Sequence, residues 1–200
     1  MTRGGGERAS DAVPARIGTD AFVAPVRSAE PLLGPVRLVC VDGPAGSGKT
    51  TLARELAGAL GPGAVVVHLD DMYEGWSGLD GVWERVEDQI LRPLEQGLPG
   101  HWQRYDWEAE RFAEWHDLPV PAYLILEGCG SAPRAADARA NLIVWVDAPA
   151  GVRLARGLAR DGEHMRDDWL RWMALEADHF ARERTRERAD VVVDRGGPLA

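Results

Sequence analysis

The sequence predicts an α/β fold, a parallel sheet of about five strands with helices on both faces. Three observations carry that prediction. Short apolar segments rich in branched residues (VRLVCVDG, AVVVHL, AYLILEG, NLIVWVDAP and ADVVVD) read as buried strands. Helix-periodic segments separate most of them, the alternation expected of a parallel sheet with crossover helices. The chain has 200 residues, 45% hydrophobic and 28% charged, enough for one domain with a substantial core.

Taken in order, residues 1–18 are rich in Gly, Ala and Arg without periodicity and are expected to form a disordered tail. Residues 19–200 then form a single domain. A short helix over 19–30 ends before Pro31. The first strand, VRLVCVDG, ends at Gly43. A helix follows over 49–60, with Leu52, Ala53, Leu56, Ala57 and Leu60 at helical spacing and GPG at 61–63 to stop it. AVVVHL is the second strand. Residues 81–96 read as helical, with Val82, Val86, Ile90 and Leu94 spaced by four. AYLILEG and NLIVWVDAP are the third and fourth strands, helices cover about 150–160 and 167–187, and ADVVVD is a short last strand. No repeat or interdomain linker interrupts the pattern.

Composition excludes some functions. The net charge is −9, with 32 acids against 23 bases, which argues against a nucleic-acid partner. No apolar run approaches the ~20 residues of a membrane span, and MTRGGGERAS has no apolar core of a secretory signal. The only cysteines, Cys40 and Cys129, sit in or beside apolar runs and read as reduced packing residues of a cytoplasmic protein.

The strongest motif is VDGPAGSGKTT. It satisfies G-x-x-x-x-G-K-[ST] with Gly43, Gly48, Lys49 and Thr50 at the fixed positions, between an expected strand and an expected helix. Such a loop turns backbone N–H groups onto phosphate oxygens, and the helix N-terminus adds positive potential. Gly43, Ala45, Gly46, Ser47, Gly48, Lys49, Thr50 and Thr51 are therefore the candidate nucleotide-binding residues of a P-loop NTPase. Lys49 would neutralise the β- and γ-phosphates of ATP, and Thr50 would ligate magnesium. Lys49 is also the single lysine among the 23 basic residues. Arginine serves everywhere except where the loop needs a compact ammonium.

Ligands of open parallel sheets bind beyond the carboxyl ends of the strands. Asp70 follows AVVVHL and Glu127 ends AYLIL, so each is a candidate to hold magnesium or to accept a proton from an attacking hydroxyl. Asp71 competes with Asp70 for the second role.

VDGPAGSGKTTLA, HLDDMY, RYDW, LILEG, LIVWVDAPAGVRLARGLARD and RADVVVDRG together resemble the uridine–cytidine kinase family, related to phosphoribulokinase and bacterial pantothenate kinase. The likeness runs over most of residues 36–197. It implies a kinase with a small helical lid, using ATP and Mg2+. By this resemblance Asp70 is the general base for the acceptor hydroxyl, Tyr73 contacts the nucleobase, and Tyr105, Asp106 and Trp107 belong to the nucleoside pocket. Glu127 becomes the magnesium-associated acid, and the lid arginines correspond to a stretch holding Arg156, Arg160 and Arg166, with Arg160 and Arg166 as catalytic candidates. Arg153, Arg156 and Arg160 share one helix face by spacing.

Two departures bear on the acceptor. The family's ribose-contacting Asp-His-Pro has only Asp80 as a stand-in. The histidine that reads the pyrimidine is missing, because Glu108, Glu110 and Arg111 follow Trp107 and the next histidine is His116. Trp76, Trp102, Trp107 and Trp115 lie in segments expected to line the acceptor pocket. The expected function is transfer of the ATP γ-phosphoryl group to a hydroxyl of a small molecule, a nucleoside first. A nucleoside monophosphate or other small-metabolite kinase, and a nucleotide-binding regulatory protein without turnover, are the alternatives. The acceptor's identity, ATP against GTP, and the oligomeric state stay open at this level. Lys49→Ala should abolish phosphoryl transfer while circular dichroism stays native. Near wild-type turnover in that variant would remove the loop from the reaction.

Overall fold

The computed structural model describes residues 20–196, so the tail expected over 1–18 lies outside the described residues. The elements are α1 Asp20–Ser28, β1 Arg37–Asp42, α2 Lys49–Leu60, β2 Ala64–His68, α3 Val82–Val86, α4 Arg92–Glu95, β3 Gly100–Asp106, β4 Arg111–Leu118, β5 Tyr123–Glu127, β6 Ala140–Asp147, α5 Ala150–Asp161, α6 Arg166–Glu183, α7 Thr185–Arg188 and β7 Val191–Asp194. Strands β2, β5, β1, β6 and β7 form one parallel sheet in that order. This is the five-stranded α/β architecture of P-loop NTPases.

The central strand explains the continuous apolar run in the sequence. In β1, Leu38 and Cys40 enter one core and Val39 and Val41 the other. Its neighbour β5 does the same, with Leu124 and Leu126 on one side and Ile125 on the other. A strand covered on both faces has no solvent side and so shows no polar alternation. The first core is closed by Val82, Val86, Ile90 and Leu94, all buried. The segment 82–95 is helical as expected, but a π turn at Glu87–Leu91 joins α3 to α4.

Three local departures from the sequence expectation have physical causes. Residues 97–121, which carry no assignment from sequence, contain the antiparallel hairpin β3–β4. Its strands are half-exposed and rich in charge, and its turn uses Glu110 at φ 50° instead of Gly or Asn. The helix expected over 167–187 breaks at Arg184, which takes φ 54° and separates α6 from α7. Strand β2 stops at His68, so Asp70 lies in the short turn Leu69–Asp71 just beyond it.

One buried carboxylate fixes where the sheet hands over to its loops. Asp42, the last residue of β1, accepts N–H bonds from Gly43 at 2.7 Å, Gly130 at 2.9 Å and Ala132 at 3.0 Å. It thereby locks the start of the 43–48 loop to the chain leaving β5. Burial is the largest influence on its acidity and raises its pKa from 3.8 to about 6. The folded state then holds this proton more tightly than the unfolded chain. The group's stabilisation is fully present below the unfolded pKa and is lost as pH rises through about 6. Asp42→Asn, with its oxygen kept on Gly43 and Gly130, would turn its amide group toward the Ala132 N–H and leave that donor unpaired, at about 1–3 kcal/mol. In denaturant titrations the wild-type advantage over Asp42→Asn should shrink by up to about 3 kcal/mol between about pH 4 and pH 7. A pH-independent difference would show that this carboxyl titrates normally.

Candidate active site

The loop between β1 and α2 has the form of an anion cradle. Gly43, Gly46 and Gly48 adopt φ of 138°, 76° and 100°, in the region that favours glycine. A Cβ on Gly43 would collide with the Val146 carbonyl oxygen, and one on Gly46 would lie 2.6 Å from that of Arg153. The 12-residue helix α2 begins at Lys49 with no side-chain cap, so its first N–H groups face the loop without a capping partner. Ser47 Oγ is buried and has no hydrogen-bond partner among the described residues. An orphaned hydroxyl, free N–H groups and a buried ammonium together fit a polyphosphate.

Lys49 donates to the Pro44 carbonyl oxygen at 3.0 Å and is buried. Burial alone would lower its pKa, but the ionisable groups around it, Cys129 first and then Glu127 and Asp70, leave it raised. The ammonium is thus held charged in a place where an isolated one would lose its proton. Thr50 Oγ1 lies 3.3 Å from both carboxylate oxygens of buried Glu127. His68 Nδ1 sits 2.6 Å from Glu127 Oε2. These oxygen donors suit a hard cation that keeps most of its waters, which is how magnesium is usually held beside phosphates.

Past the loop, a cavity of about 600 Å³ opens over the carboxyl ends of β2 and β5. The loop residues Ala45, Gly46, Gly48, Lys49, Thr50 and Thr51 line one end. Asp70, Asp71, Glu127 and Cys129 line its floor, and Tyr73, Trp76, Trp107, Trp169 and Trp172 line the rest, with Arg156 and Arg160 along one side. Asp70 remains open to the cleft, yet the protein enclosing it raises its pKa, an effect that Lys49 opposes. A carboxylate with raised basicity at a strand end is suited to accept a proton.

Known proteins place this geometry. No family model matches the chain. It is 26% identical over 186 residues to a uridine kinase from Halobacterium salinarum, covering 81% of each chain. Its fold superimposes on the structure described as a possible uridine kinase from Bacillus stearothermophilus, with TM-score 0.66 and 20% identity over 88% of this chain and 97% of that one. The chain is uridine kinase-like. A protein from Silicibacter assigned as a fructose transport system kinase shares the fold at TM-score 0.60 and 21% identity, over 87% of this chain and 98% of that one. The P-loop kinase fold therefore stands on both sequence and architecture.

Within this uridine kinase-like chain, the cavity gathers most of the residues read from sequence but not all. Asp70, Lys49, Thr50, Glu127, Tyr73, Trp107 and Arg160 line it. Tyr105 does not. It is buried behind the cavity, with its ring 5.5 Å from Trp107 and 5.2 Å from Phe112, so it braces the wall from outside. Arg166 also stays away, on the exposed surface, where it pairs with Glu163 at 2.5 Å. Asp80 pairs with Arg182 at 2.7 Å, outside the cavity. Trp102 and Trp115 stack on His116 and His101 along the hairpin and do not line the cavity.

Trp169 and Trp172 were not legible as cavity residues. They are brought there by α6, whose buried face is Trp169, Trp172, Glu176 and His179, at helical spacing. Of the three arginines on one face of α5, Arg153 bonds Glu176 at 2.6 Å, Arg156 bonds the Gly46 carbonyl oxygen at 3.2 Å, and Arg160 lies with its guanidinium 5.7 Å from the Trp169 ring. Helix α5 packs against α6 through Gly157, where a Cβ would collide with the Trp169 indole. Gly157→Ala should push Trp169 into the cavity. It should lower stability by about 1–3 kcal/mol, the usual range for overpacking, and shift tryptophan emission. Unchanged stability and emission would mean that α5 and α6 are not in register as described.

Proposed function

We propose that the chain is an ATP- and magnesium-dependent phosphotransferase acting on a hydroxyl of a small molecule, a nucleoside in first place. One observation carries the reading: a single cavity joins the anion cradle and Lys49 at one end to Asp70 and an aromatic wall at the other. The name borne by the Halobacterium relative supports the nucleoside. ATP would supply the phosphoryl group, and magnesium held by Thr50 and Glu127 would compensate its charge.

The chain's own groups divide the remaining work. The 43–48 loop and Lys49 orient the phosphates, which is most of what phosphoryl transfer asks of a protein. Asp70 takes the proton of the acceptor hydroxyl as its oxygen attacks. Arg160 is positioned to stabilise charge on the phosphoryl group in transit. A monophosphate-bearing acceptor is the weaker reading. The two arginines lining the cavity bond to Gly46 and Asp161, and the one beside the aromatic wall, Arg160 at 5.7 Å from the Trp169 ring, is the one assigned to the transferred phosphoryl group. Cys40 and Cys129 are both buried free thiols, which suits a cytoplasmic enzyme.

Asp70→Asn should cut the chemical step by roughly 10²–10⁴-fold in single-turnover assays and leave ATP binding nearly unchanged. Asp71→Asn should slow that step far less. The larger loss at Asp71 would move the base by one residue. ADP release that proceeds equally with and without every acceptor tried would instead favour a nucleotide-binding regulator.

A further inference from the structure

The phosphotransfer reading leaves the acceptor open, and the wall that would hold it has a distinctive chemistry. Trp76 is its hub, with ring centroids 5.6 Å from Trp107, 6.5 Å from Trp169 and 6.1 Å from Trp172. Three of the wall's donors are already used, while the indole N–H groups of Trp76 and Trp172 have no partner among the described residues. The Tyr73 hydroxyl donates to the Cys129 carbonyl oxygen at 2.8 Å. The Trp107 indole N–H donates to the Asp70 carbonyl oxygen at 2.9 Å, and that of Trp169 to Asp161 Oδ2 at 2.9 Å. In the phosphotransfer reading Lys49 and Arg160 serve the phosphoryl group, and Arg156 bonds the Gly46 and Arg195 carbonyl oxygens.

Asp70 and Asp71 both present carboxylates without a hydrogen bond or ion pair to any described residue, and with Asp70 assigned to the acceptor hydroxyl the one left over is Asp71. It is half-buried, lines the cavity, and makes no side-chain hydrogen bond or ion pair with any described residue. Trp107 bonds the carbonyl of Asp70, the peptide that leads into Asp71, and Asp71 lines the same cavity as the aromatic wall. The wall is aromatic and the carboxylates of Asp70 and Asp71 lie in the same cavity, so an anionic acceptor would meet like charge. An amine fits both features. Its N–H groups satisfy a carboxylate, and any positive charge is attracted to the indole faces.

We propose that the acceptor is an alcohol that also carries an amino or ammonium group, held by Asp71 against the tryptophan wall. This rests on the phosphotransfer reading and narrows it. The amine can come from an amino-bearing nucleobase or from an amino sugar or amino alcohol, and matched pairs separate these sources. ADP release by the full chain with ATP and magnesium would be measured for cytidine against uridine, adenosine against inosine, and glucosamine against glucose.

The amine-bearing member should show kcat/KM at least about tenfold higher, in the nucleoside pairs for the first source or in the sugar pair for the second. Asp71→Asn should bring that ratio close to one, and Asp71→Glu should keep most of it. Equal or better turnover of the amine-lacking member in every pair, or an undiminished ratio in Asp71→Asn, would overturn the proposal. Should no acceptor stimulate ADP release, the phosphotransfer reading falls and tryptophan quenching decides the acceptor question alone. Quenching at lower concentrations by amine-bearing members supports the proposal, and equal quenching within every pair sinks it.

Discussion

The cleft depends on one buried carboxylate that belongs to neither of its two ends. Glu176, on α6 and almost fully buried, accepts the Ala45 N–H at 2.7 Å with one oxygen and an Arg153 N–H at 2.6 Å with the other. It therefore ties the phosphate loop, α5 and α6 to a single point. A buried ion pair like this one adds little net stability over an apolar substitute, but removing one partner strands a charge at roughly 3–5 kcal/mol. Its value lies in register. The helix that steadies the loop through Glu176 also presents Trp172 and Trp169 one and two turns earlier, so loop and aromatic wall share one support.

That arrangement explains what the sequence could and could not reveal. The five sheet strands were legible because burial on both faces leaves continuous apolar runs, and α2 because a glycine-rich loop and a GPG stop frame it. The loop residues were legible because a polyphosphate cradle needs glycine where a Cβ would meet backbone, as at Gly43 and Gly46. That Asp70 and Glu127 would stand at strand ends facing the cleft followed from the sheet topology. The rest depends on contacts far apart in sequence. Glu176 and Ala45 are 131 residues apart, and nothing local marks a glutamate in a helix as the partner of a loop amide.

The aromatic residues show the same limit from the other side. Eight tryptophans offered more candidates than a cavity can use, and proximity to a motif was a poor guide. Trp102 and Trp115 flank the tyrosine motif, but alternation in β3 and β4 turns them to histidine partners across the hairpin. Tyr105 and Trp107 are two residues apart, the spacing of one strand face, yet β3 ends at Asp106. Beyond that end Trp107 turns into the cleft and Tyr105 remains behind it.

Charge divides the cleft in a way that composition alone would hide. The chain is strongly acidic, yet its one lysine is buried in the phosphate-binding motif, where Cys129, Glu127 and Asp70 around it raise its pKa against the effect of burial. The converse holds for Asp70. Enclosure raises its proton affinity while Lys49 restrains the rise, so base and ammonium are each tuned by the other across the space between loop and strand end. A polyphosphate entering the loop would draw on the positive charge of Lys49 and weaken its hold on Asp70.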